Sequence, residues 1–70
     1  MLNLTESEWM LIKLKSQGLT SREIGEVLDR SPKTIKNRLF TIYKKLEVNN
    51  SIQMLRKLYT EYGVDVWNME

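Results

Sequence analysis

At 70 residues the chain is one small domain, able to bury only about 60% of the surface its unfolded form exposes. It has no cysteine and no histidine, which excludes a disulfide framework, a Cys/His zinc site and catalysis by either residue. Hydrophobic residues make up 41% and charged residues 29%, which argues against wholesale disorder, and no apolar run approaches the roughly 20 residues that span a bilayer. Good helix packing or association with a second copy remain as sources of stability. Met1 to Thr5 is neither basic nor apolar, so it does not read as a signal peptide. The expectation is a soluble cytoplasmic domain with no membrane partner.

The first helix is announced by Leu4-Thr5-Glu6-Ser7-Glu8-Trp9. Thr5 stands as N-cap with Glu8 three residues on, the capping-box spacing, and Leu4 and Trp9 occupy hydrophobic-staple positions. This helix is expected over about 6–17, stopped by Gly18. The signature recurs at Leu19-Thr20-Ser21-Arg22-Glu23-Ile24, with Thr20 as cap, Glu23 closing the box, and Leu19 and Ile24 as staple. The second helix should cover about 21–29. Gly25 lies in its middle, where glycine costs about 1 kcal/mol against alanine, so a close approach by the backbone of the third helix is the expected reason.

Ser31 caps the third helix, with Pro32 at the first position, where a missing N–H costs nothing. The helix is expected over 32–46. Ile35, Leu39, Ile42 and Leu46 recur at spacings of 4, 3 and 4 and form its core stripe. Lys33, Asn37, Phe40 and Lys44 lie opposite, with Lys36 at the edge. From Arg30 to Leu46 there are six basic residues and no acidic one, while the other 53 residues net −4, so the total of +2 conceals a segregation. The basic run reads either as a solvated helix or as a face for a polyanion. Lysine can bond guanine or a phosphate, asparagine the adenine edge, and an aromatic can touch a thymine methyl. Ser31, Thr34 and the first-turn N–H groups can hold a phosphate oxygen. Phe40 either folds onto a neighbouring helix or stands exposed, and its place off the core stripe favours exposure. Two short helices joined by a tight turn, the second basic outside, make a helix-turn-helix.

Asn49 or Asn50 caps a fourth helix expected over 51–62, with Gly63 as its terminal glycine. Ile52, Leu55, Tyr59 and Tyr62 occupy one side, and Met54 and Leu58 widen the apolar arc to roughly 160°. That exceeds what packing on the first helix needs, so Met54, Leu58 and Tyr62 are candidates for a symmetric dimer contact. In the tail, 64–70, Trp67 either folds back on the core or joins that interface. No segment alternates with a period of two, so the fold class is all-α.

Several of these segments resemble the LuxR/GerE-type helix-turn-helix. They are Leu4-Thr5, Gln17 to Gly25, Leu28, Ser31-Pro32-Lys33-Thr34-Ile35-Lys36-Asn37-Arg38 and Lys45-Leu46-Glu47-Val48. The resemblance runs from Leu4 to about Leu55. It implies a four-helix DNA-binding domain over 1–63, of bacterial and nucleoid-associated type and dimeric on double-stranded DNA. It also implies that Lys36, Asn37 and Phe40 meet bases, that Ser31, Lys33 and Thr34 lie at or near phosphates, and that Lys45 is the basic residue near the end of helix three. Lys33 and Lys44 also face outward, Lys33 toward bases and Lys44 toward phosphates, and Lys45 is likewise expected at a phosphate.

The chain departs from the family pattern at several points. Ser7, Trp9 and Met10 replace its helix-one charges, Arg30 an aliphatic residue, Arg38 a histidine, Glu47 a glycine and Ser51 a basic residue. Arg30 and Arg38 then become additional phosphate ligands. The helix-turn-helix of sigma-factor region four is the closest competitor; Val48 and the capped fourth helix favour the LuxR type.

The expected function is therefore sequence-specific regulation of transcription, with no cofactor, metal or catalytic residue. Because Met1 stands just ahead of the domain, the chain reads as a free-standing regulator or an excised domain. The alternative is a module that binds RNA polymerase or another regulator.

Overall fold

The structure, a computed structural model, describes residues 3–64. It contains four helices: α1 (Glu6–Ser16), α2 (Ser21–Leu28), α3 (Pro32–Leu46) and α4 (Ser51–Tyr62). Each start follows from its cap. The Thr5 hydroxyl accepts from the Glu8 N–H at 3.2 Å, and the Glu8 carboxylate accepts from the Thr5 N–H at 2.9 Å. Thr20 and Glu23 repeat the exchange at 3.2 and 3.0 Å. These boxes satisfy donors that a helix start otherwise leaves unpaired. Asn50, not Asn49, caps α4, accepting from the Gln53 N–H at 2.9 Å, while Gln53 reaches back to the Asn49 N–H.

The helix ends are less uniform. Asp29 and Glu47 terminate α2 and α3 in the left-handed conformation, at φ 56° and 57°. An L-residue there costs about 1–2 kcal/mol. α4 ends on Gly63 at φ 66°, where that penalty is absent.

Helix α3 packs on all three others, and among the described residues only α2 and α4 do not meet. The core lies where α1, α3 and α4 converge, with Ile24 sealing it from α2. Ile35, Leu39, Ile42 and Leu46 are all buried, as the stripe on α3 requires, and Tyr43 widens it. Burial pushes the Tyr43 hydroxyl above its ordinary range, offset in part by a hydrogen bond with Ser51. Leu4, Trp9 and Leu19 pack at the edge of this core, where the staples place them.

Two expectations are corrected by the packing. A Cβ built on Gly25 would overlap the carbonyl oxygen of Arg30. The close approach therefore comes from the turn before α3 rather than from the body of that helix, and the Arg30 N–H donates to the Gly25 carbonyl at 2.8 Å. On α4 the inward side is Met54, Leu55 and Leu58, with Met54 and Leu58 fully buried. These two are core residues and cannot offer a dimer contact. The outward apolar residues are Ile52, Tyr59 and Tyr62. Trp67 lies outside the described residues.

Candidate nucleic-acid interface

The sequence around α3 builds the candidate site in three parts. The first is the outer face of the helix. With its inner stripe held in the core, Lys33, Lys36, Asn37, Phe40 and Lys44 all stand exposed. Phe40 is 56% exposed and does not fold onto a neighbouring helix. Its ring meets Tyr43 edge-to-face, centroids 6.2 Å apart at 63°. The Thr41 hydroxyl, also outward, is engaged with the Asn37 carbonyl at 3.1 Å.

The second part is the N-terminal end of α3. The Ser31 side chain accepts from the Thr34 N–H at 3.2 Å, and the two hydroxyls are 2.9 Å apart. Pro32 has no N–H, so the cap narrows the first-turn donors to the N–H groups of Ser31 and Lys33. α1 and α2 each set a capping-box glutamate against this end of the helix, whereas α3 has no acidic residue in its first turn. The positive end of its dipole is left open to an external anion, flanked by the exposed Arg30 and Lys33.

The third part is the flank toward α1. Arg30 in the turn and Arg38 in the middle of α3 line one shallow depression of about 330 Å³ with Glu6, Ser7 and Met10. The sequence offered no sign that the turn and the middle of α3 share a rim, because that depends on where α1 crosses.

Lys45, on the α1 side of the helix, is engaged within the domain. Its ammonium donates to the Glu8 carboxylate at 2.8 Å and to the Asn3 carbonyl at 3.4 Å. The lysine side chain remains 39% exposed while Glu8 is nearly covered. Burial acts most strongly on Glu8 and raises its pKa, but Lys45 and the Thr5 N–H together outweigh it. The carboxyl is held below its ordinary range. Glu8 thus closes the cap of α1 and pins α1 to α3, a role its place in the capping box did not disclose. The resemblance that assigns Lys45 to DNA is corrected to this extent: its charge is already compensated within the domain.

Comparison with known proteins decides what kind of domain this is. Residues 2–58 match the GerE model, described as bacterial regulatory proteins, luxR family. The chain belongs to the luxR family.

Three curated proteins are similar to this luxR-family domain. The cyclic di-GMP phosphodiesterase PdeL of Escherichia coli (strain K12) is 30% identical over 64 residues, 91% of this chain and 18% of PdeL. The transcriptional regulatory protein DegU of Brevibacillus brevis is 40% identical over 50 residues, 71% of this chain and 21% of DegU. The uncharacterized response regulatory protein YgeK of Escherichia coli (strain K12) is 34% identical over 53 residues, 76% of this chain and 36% of YgeK. The chain thus spans between about a fifth and a third of the length of these relatives. No solved structure matches it at the same stringency. Family and geometry agree on a helix-turn-helix DNA-binding domain of transcription regulators. No described helix is long and apolar enough to cross a membrane.

Proposed function

We propose that the chain is a sequence-specific regulator that lays the outer face of α3 in the major groove of double-stranded DNA. The observation that supports this best is the pairing of two surfaces on one helix. Its inner stripe is buried, and its outer face exposes Lys33, Lys36, Asn37, Phe40 and Lys44 without an acidic residue between Arg30 and Leu46. Lys33, Lys36 and Asn37 have the donors and acceptors that base edges recognise. Ser31, Thr34, Arg30, Arg38 and Lys44 surround that face and fix register on phosphates. The chain acts by binding and not by catalysis; the phosphodiesterase named for PdeL concerns a protein of which this domain matches 18%.

Two copies bind together, meeting through the exposed α4 row of Ile52, Tyr59 and Tyr62, the same patch on each copy. That row equally supports a second reading, docking on RNA polymerase or another regulator. Sites selected from random DNA test both. A palindrome is the expected product, and Lys36→Ala or Asn37→Ala should each weaken binding to it roughly 5- to 100-fold while changing binding to random DNA far less. Failure to select any site at low salt would remove the first reading and leave the second.

A further inference from the structure

The side chain on the outer face of α3 that least resembles a DNA ligand is Phe40. It has no hydrogen-bonding group, yet more than half of it is exposed. Its surroundings separate two explanations. A protein partner would need a contiguous apolar patch. Along α3 Phe40 has none: its outward neighbours one turn away are Lys36, Asn37 and Lys44, all exposed and polar. The other exposed large apolar residues, Met10, Val27, Ile52, Tyr59 and Tyr62, are on α1, α2 and α4. A lone aromatic among cations and an amide suits a surface that is polar except at one point.

The major-groove edge of DNA is such a surface. Its apolar feature is the C5-methyl of thymine, which cytosine lacks. Resting on the reading that α3 enters the major groove, we infer that Phe40 is a specificity residue for a pyrimidine C5-methyl group. It reads the methyl and not the base. A phenyl ring cannot tell the thymine O4 acceptor from the cytosine N4 donor, so 5-methylcytosine satisfies it as thymine does. Tyr43 makes this reading possible. It is buried and contacts the Phe40 ring edge-on, which holds the ring in place before DNA arrives. Asn37, one turn back on the same face, is placed to take an adjacent adenine edge.

The test removes single methyl groups from the DNA, first with the wild-type protein and then with Phe40→Ala. In a duplex bearing a selected site, each thymine is replaced in turn by deoxyuridine, which lacks only the methyl. Burial of one methyl group corresponds to about a fourfold change in affinity. One thymine per half-site should show that loss, the others none, and Phe40→Ala should abolish the difference while still binding. At the same position cytosine should bind more weakly than 5-methylcytosine by a similar factor. Equal binding of deoxyuridine at every position, with a site selected, overturns the methyl reading alone. An undiminished deoxyuridine penalty in Phe40→Ala also overturns it, because another residue then makes the contact. If no site can be selected, the groove reading falls and the inference falls with it.

Discussion

Helices α3 and α4 are both amphipathic, and both carry more apolar residues than their contacts need, yet only α3 declares its inner side. On α3 the residues opposite the core stripe are lysines and an amide, so any other rotation would bury charge at prohibitive cost. On α4 the apolar arc is continuous from Met54 through Leu58, Tyr62 and Leu55 to Tyr59 and Ile52, stepping around the helix at about 100° per residue. One edge is bordered by Glu61 and Lys57, which pair at 3.7 Å, and the other by Arg56, so charge flanks the arc on both sides. Burying either half satisfies the same local rules. The half chosen in the folded chain, Met54, Leu55 and Leu58, is the one that faces α1 and α3. Charge opposite a stripe orients a helix; apolar content alone does not.

The sharpest way to break this comparison is to place a charge on each half of the α4 arc. Leu58→Glu buries a carboxylate and should destabilise the domain by about 4 kcal/mol or more, enough to unfold one of this size. Ile52→Glu, at a position 70% exposed, should stay within about 0.5 kcal/mol of wild type in urea melts while weakening self-association. Loss of folding in Ile52→Glu would reverse the assignment of the two halves.

The Glu8–Lys45 pair tests the inner flank of α3. Glu8→Gln keeps an acceptor for the Thr5 N–H and removes the charge, so its cost isolates the ion pair. About 1 kcal/mol is expected, discounted because Lys45 is more than a third exposed. Because the folded carboxyl is held below its unfolded value, the pair contributes fully above about pH 5. Its contribution is lost as pH falls through and below the ordinary glutamate value of about 4.3. The stability gap between wild type and Glu8→Gln should therefore close toward pH 3. A constant gap from pH 3 to 7 would show that the pair does not stabilise the fold.

Lys44 and Lys45 are adjacent in sequence and face different surroundings. Lys44→Ala should lower the salt slope of DNA binding by about 0.9 with little change in stability. Lys45→Ala should leave that slope nearly unchanged and lower stability instead. Equal slopes for the two variants would place Lys45 on DNA after all.

The smallest effect is expected at the end of α3. Glu47 holds a left-handed conformation that costs an L-residue about 1–2 kcal/mol. Glycine removes that cost but gives up part of it to greater freedom when unfolded. Glu47→Gly should therefore raise stability by about 0.5 kcal/mol, visible as a higher thermal midpoint. Destabilisation would mean that the Glu47 side chain makes an interaction that outweighs the strain.

Most of the architecture was legible before folding because it rests on interactions three or four residues apart. Thr5 with Glu8, Thr20 with Glu23, Ser31 with Thr34 and Pro32 at a first turn mark the helix starts within a single turn of chain. The outer face of α3 was legible for the same reason, since the helical period alone separates Lys36, Asn37 and Phe40 from Ile35, Leu39 and Ile42. The fate of Lys45 was not, because its partner lies 37 residues away and had an evident local use as a capping glutamate. The neighbour that excludes a side chain at Gly25 was placed only approximately, since the turn brings the Arg30 carbonyl back over α2.

Without cysteine or histidine the chain had to fold by helix caps and apolar packing, and its sequence alone determined four capped helices and a one-sided basic surface on the third. Tertiary structure alone decided which half of the α4 arc is core, that Lys45 holds α1, and that Arg30 and Arg38 share a rim. Each of those depends on how helices cross, and crossing geometry comes from the simultaneous packing of distant side chains, which no local pattern encodes.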